Sequence, residues 1–235
     1  MPNKSKTLLL PGSLAVALCV MWQPGALAAT SPYPRMAPLE KYLMARDAEI
    51  TLARSAAPPA ISADAEVMVM SRTGYTTVVG GKNEFVCLVE RSWAAPSSLP
   101  EFWNPKVRSP ICFNAAGART VLPSYLLKTK LVLAGKSKME VVRALASAFD
   151  SKALPPLEPA AMCYMQSKQQ YVNDGGRNWH PHLMFFVQGD AARSWGANLP
   201  GSPVIALNDP DERMTIFMVW AGKWSDGTLG PDPMH

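Results

Sequence analysis

Apolar positions change their spacing several times along this chain, and each change marks an element. Leu39, Tyr42, Leu43, Ile50 and Ala53 recur at helical intervals, which predicts an amphipathic helix through about Arg54, ended by Pro58 and Pro59. From Glu66 the pattern turns to short β-rich runs, 66–70, 75–79 and 85–89, separated by Arg72-Thr73-Gly74 and Gly80-Gly81-Lys82-Asn83. Turn residues at those places predict an antiparallel three-stranded meander. Its third run, Phe85-Val86-Cys87-Leu88-Val89, is apolar throughout, as expected of a strand covered on both faces near the middle of a sheet.

Five prolines between Ala94 and Pro123, set among Trp93, Phe102, Trp103 and Phe113, predict a packed loop without long regular elements. Ser137-Lys138-Met139-Glu140 reads as a capping box that starts a helix running to about Phe149. Met139, Val142, Leu145, Ala146 and Phe149 form its expected apolar stripe. A shorter helix is expected at 125–134. After Pro155, Pro156 and Pro159 come predicted strands at 161–171, 178–187, 204–207 and 214–221, the first two joined by the turn Asn173-Asp174-Gly175-Gly176. Helix, strands, helices, strands is the order of an α+β fold with a mostly antiparallel sheet. Residues 225–235, with Gly227, Gly230, Pro231 and Pro233, read as a loose tail.

The first residues carry a different signal. Lys4 and Lys6 precede an apolar run of about 15 residues, Leu8 to Trp22, and Ala26-Leu27-Ala28 offers small residues at the positions a signal peptidase reads. That run is shorter than the roughly 20 residues of a membrane-spanning helix. We therefore expect residues 1–28 to be a cleavable signal peptide and residues 29–235 a single exported, periplasmic or secreted domain with no membrane span. Removing Lys4 and Lys6 from the 23 basic residues leaves 21 against 18 acidic ones, a net of +3. So mild and scattered an excess argues against nucleic acid as a partner. A small molecule or a component of the cell envelope is the partner class left open.

Export also changes the cysteine arithmetic. Cys19 leaves with the leader, so Cys87, Cys112 and Cys163 remain, and at most one bridge can form. Cys87 with Cys112 is the preferred pair, because it closes a segment rich in Pro, Ser and Trp; three buried free thiols are the alternative.

Candidate chemistry centres on Trp179-His180-Pro181-His182, which holds two of the chain's three histidines. Residues two apart in an extended segment share a face, so both imidazoles should project together. If the turn at 173–176 makes a hairpin, positions summing to about 349 face one another, placing Ser167 opposite His182 and Gln169 opposite His180; a slip of one residue would present Lys168 and Gln170 instead. Three readings stay open. The imidazoles satisfy polar groups at a sheet end. They supply two nitrogens to a divalent metal, for which no third ligand is evident. Or they serve acid–base or nucleophilic chemistry with Ser167, although no Asp is placed to orient them. No cofactor is otherwise called for, and the hydrolase, phosphate-loop and dinucleotide signatures are absent. A non-catalytic binding or accessory protein is thus the first functional expectation, with a small hydrolase or transferase as the alternative.

The export signal together with Phe85-Val86-Cys87-Leu88-Val89, Cys163-Tyr164-Met165-Gln166-Ser167-Lys168-Gln169 and His180-Pro181-His182-Leu183-Met184-Phe185-Phe186 resembles a set of exported bacterial proteins of no established activity. The resemblance spans most of the mature chain. It implies no substrate, cofactor or catalytic residue.

Overall fold

In the computed structural model, β1 (Glu66–Ser71) and β2 (Gly74–Val79) form the expected hairpin, with Gly74 at φ 115° in a turn conformation that a side chain would strain. The structure describes Met1, residues 32–175 and residues 179–231. The signal-peptide expectation, apart from Met1, falls outside the described residues, as do 176–178 of the predicted turn and strand and 232–235 of the tail.

The meander does not continue. β3 (Val86–Glu90) crosses to the far side of β1 and pairs with it in parallel, Glu66 with Val86 and Val67 with Cys87. The reason is burial. β2 presents exposed Thr76 and Thr77, whereas β3 is buried at four of its five positions, so the apolar strand goes inward and the polar one takes the edge. Gly81 permits the crossing, since a Cβ there would lie 2.6 Å from the amide nitrogen of Glu66.

Beyond β3 the sheet continues through β4 (Ser109–Phe113), β5 (Met162–Met165), β6 (His182–Gln188), β7 (Val204–Asp209) and β8 (Met214–Trp220). The order is β2-β1-β3-β4-β5-β6-β8-β7, and every neighbouring pair except β1 and β3 is antiparallel. The fold is α+β with a mostly antiparallel sheet, as expected. β4 corrects the reading of 94–123 as a loop. It tolerates Pro110 because Arg108, two residues earlier, donates its amide toward Tyr171 on the β5 side, and β5 pairs β4 only from Cys112 onward. By alternation, the nitrogen of Pro110 points into the gap between those contacts, where no ladder bond is lost.

Cys87 and Cys112 are register partners on β3 and β4 and form a disulfide, with Cα atoms 4.0 Å apart; Cys163 is free and buried. The alternation that turns Pro110 away from β3 makes this a non-hydrogen-bonded pair, the closer of the two antiparallel spacings.

Helices cover the two faces unequally. α1 (Arg46–Arg54) and α2 (Pro59–Ser62) lie over one face, where Leu52, Ala53 and Ala56 pack with Val67, Cys87, Val89 and Cys112. α3 (Ala115–Thr120) and α4 (Leu122–Leu133) cover the other, with Val121, Leu122 and Tyr125 against Leu88, Ile111, Phe113, Met165, Met184 and Ile216. The helix expected from Leu39 is a single 3-10 turn, Leu39–Lys41, followed by a separate α1. Its path is interrupted because the Tyr42 carbonyl accepts from Arg91 Nε and the Tyr42 hydroxyl donates to Trp103 O.

α5 (Lys138–Asp150) begins with the predicted capping box: Ser137 Oγ accepts from the Glu140 amide, and the Glu140 carboxylate accepts from the Ser137 amide. Those bonds hold the Glu140 carboxyl down to about 2. Its buried face is set differently from the predicted stripe. Val141 and Leu145 are buried against Trp93 and Phe102, while Met139 is 65% exposed. Ser137→Ala should lower the thermal midpoint by about 2–4 °C, and a calorimetric scan showing no change would mean that the cap does not stabilise α5.

Two further details bear on the ends of the sheet. Asn198, at φ 60°, donates its side-chain NH2 to Ala206 O (2.9 Å), accepts from Ala206 N (3.0 Å) and donates its own amide to Val204 O (3.0 Å), so it clasps the outer side of β7. The described part of the tail is not loose: Ser225 N donates to Gln166 O, Gly230 N to Gly222 O, and Asp226 pairs with Lys168 at 2.8 Å. Among the described residues, no helix is long and apolar enough to cross a membrane.

Candidate functional site

β5 ends early, and that decides what the histidines meet. At residue 166 the backbone leaves the sheet: Gln166 N donates to Ala56 O at the end of α1, and Gln166 O accepts from Ser225 N. The β5–β6 register pairs Met165 with His182 and Tyr164 with Leu183, a sum of 347 rather than the expected 349. The two-residue shift keeps each strand's faces but carries Ser167 past the end of the ladder. The predicted pairs Ser167 with His182 and Gln169 with His180 therefore do not form.

Ser167 is fully buried beside α1 instead. Ser55 Oγ lies 2.6 Å from Leu52 O and 2.6 Å from Ser167 Oγ. A hydroxyl has one proton, which Ser55 gives to the Leu52 carbonyl, so Ser167 donates to Ser55 and in turn accepts from Gln169 N at 3.1 Å. That leaves Ser167 no proton to hand to a base. The Gln169 side chain is exposed, and it is Gln170 that reaches His180, its Nε2 donating to the His180 carbonyl at 3.4 Å.

The two imidazoles instead join an aromatic group at the start of β6. His182 is 3% exposed, its Nδ1 lies 2.8 Å from His180 O, and its ring is 4.6 Å from that of Trp179. Because a carbonyl only accepts, Nδ1 carries the proton. Burial pushes the His182 pKa down to about 4, only partly offset by the carbonyl bond, so the ring is neutral at physiological pH. His180 stands edge-on to Trp220 at 4.0 Å, and Trp179 lies 5.2 Å from Trp220. His180 Nδ1 is buried without a hydrogen-bond partner among the described residues, while Trp179, His180 and Trp220 each keep part of their surface exposed.

No carboxylate among the described residues bonds to either ring. Asp174, near in sequence, is drawn away by the Tyr171 and Tyr33 hydroxyls and by Lys106 Nζ at 3.0 Å. Among the described residues no group of three or more His, Cys, Asp or Glu is disposed to hold a metal ion, and so none adds a third ligand to His180 and His182.

A second concentration of titratable groups was not visible in the sequence. Lys128 on α4 is 3% exposed, donates to Ala94 O at 2.6 Å and forms an ion pair with Glu212, which also accepts from Ser124 Oγ. Burial pushes the nearby Glu90 carboxyl up to about 8, with Lys128 opposing, and that of Asp209 up to about 6, with repulsion from Glu212 adding to the effect. Three carboxyls thus surround one ammonium in the interior. Glu90 ends β3, Lys128 is on α4, Asp209 ends β7 and Glu212 lies in the β7–β8 turn, so no local spacing could announce them.

Fold and site together define an α+β protein with one mixed eight-stranded sheet and a rim of histidine and tryptophan. Comparison with protein-family models, with curated proteins and with solved structures finds no match to this chain.

Proposed function

We propose that this is a binding or accessory protein working outside the cytoplasm, and that the rim formed by Trp179, His180 and Trp220 is a contact surface rather than a catalytic centre. The observation that carries this reading is the fate of Ser167: fully buried, its proton committed to Ser55, and out of register with His182. The hydrolase or transferase alternative loses its nucleophile there. The neutral, buried His182 is a structural support, its Nδ1–H fixing the His180 carbonyl. The partly exposed rings above it, set at steep angles to one another, give an apolar wall with polar edges, the kind of surface that holds a ring or an apolar face of a small molecule or envelope component.

The test is a titration of intrinsic tryptophan fluorescence with solubilised envelope fragments, comparing the unmodified protein with His180→Ala, His182→Ala and Trp220→Ala. Retention should fall in the His180 and Trp220 variants, with no turnover in a broad hydrolase and transferase panel. Turnover that disappears in His180→Ala would overturn the reading.

A further inference from the structure

At the opposite end of β6 from His182, about 20 Å along the strand, a cleft of about 460 Å³ opens between the end of α5, residues 152–157 and the start of β8. Its volume lies in the range of small-molecule sites. Val121, Leu154, Leu157 and Met214 give it apolar walls. Glu212 reaches it from the interior but is paired with Lys128, so its charge is compensated. Two basic residues stand at the mouth. Arg213 is paired with Asp150 at 2.6 Å, whereas Lys152 is exposed and forms no ion pair among the described residues, which leaves the mouth one positive charge in excess.

Both residues have a left-handed backbone. Lys152 has φ 58° and Arg213 has φ 57°. Lys152 occupies the position after α5 at which Ala153 N returns to Ala148 O, a helix stop normally taken by glycine, and Arg213 follows the β7–β8 turn, its carbonyl accepting from Gly189 N.

We propose that this cleft, distinct from the aromatic rim, binds an aliphatic carboxylate, with the chain against Val121, Leu154, Leu157 and Met214 and the carboxylate between Lys152 and Arg213. Glycine relieves the left-handed backbone at either basic position, so Lys152→Gly and Arg213→Gly remove the charge without a folding penalty from φ. The experiment is calorimetric titration of the full chain with decanoate, decylammonium and decanol. Decanoate should bind one to one and more tightly than the other two. Its Kd should rise about tenfold in Lys152→Gly, the loss of one charged hydrogen bond, with the thermal midpoint unchanged or raised. Leu157→Trp, which fills the cleft, should abolish binding, and His180→Ala should leave it unaltered. Absence of decanoate binding, equal affinity for decylammonium, or decanoate binding that survives both Lys152→Gly and Leu157→Trp would overturn the proposal.

Discussion

Replacing Lys128 with methionine is expected to cost about 3–5 kcal/mol of stability at neutral pH, because it leaves Glu212 buried without its countercharge. The size of the loss should depend on pH, and the sign follows from the neighbours. Glu90 in the folded protein is pushed up to about 8 from an ordinary 4.5, so between those values the folded state holds a proton that the unfolded state releases. Its contribution is complete below pH 4.5 and is lost as pH rises through 8, with a slope of at most about 1.4 kcal/mol per pH unit. Asp209, pushed up to about 6 from 3.8, acts in the same direction at lower pH. His182, pushed down to about 4 from 6.5, acts oppositely: its contribution is present above 6.5 and lost as pH falls through 4. Between pH 6.5 and 8, Glu90 therefore governs among these three, and stability should decline. Without Lys128 to offset the burial of Glu90, that decline should steepen, so Lys128→Met costs more at pH 8 than at pH 5. Urea denaturation at the two pH values decides the matter. An equal loss at both, or a decline that persists unchanged in Glu90→Gln, would show that these groups do not govern the pH dependence.

The paired replacement Cys87→Ala and Cys112→Ala should lower stability by about 3 kcal/mol, the chain-entropy contribution of a bridge spanning 25 residues. The bridge ties β3 to β4 under α1, so its loss should be felt in the first half of the sheet. A thiol count under denaturing, non-reducing conditions tests it directly: a chain beginning at Ala29 should yield one thiol, Cys163, and a chain retaining Cys19 should yield two. An extra pair of thiols would remove the bridge. In the folded protein Cys163 should react slowly, since burial raises its pKa well above the ordinary thiol range.

How much of this was readable in the sequence depended on how local the cause was. The capping box needs only Ser137 and Glu140, and the β1–β2 hairpin only its turn, and both could be read directly. The central position of β3 followed from its unbroken apolar run. The crossing of β3 over β1 could not be read, because a glycine-rich link serves equally as a hairpin turn, and the choice rests on competition between strands for the interior. β4 was hidden by Pro110, whose missing amide matters only if a partner strand lies on that side. The predicted pairing of Ser167 with His182 failed for a similar reason. Alternation fixes which face a residue takes, but the end of β5 is set by Ala56 and Ser225, distant in sequence. The ion cluster around Lys128 joins four separate elements and left no local trace.

The clasp of Asn198 on β7 has a consequence for the molecule among its own kind. An outer strand with free amides and carbonyls is a template on which another chain can polymerise. Here the central groups of β7 are already saturated by a single amide side chain that acts as a counterfeit ninth strand. A chain crowded against this edge finds the middle of the ladder already taken, and the sheet resists growth into fibrils from its far side.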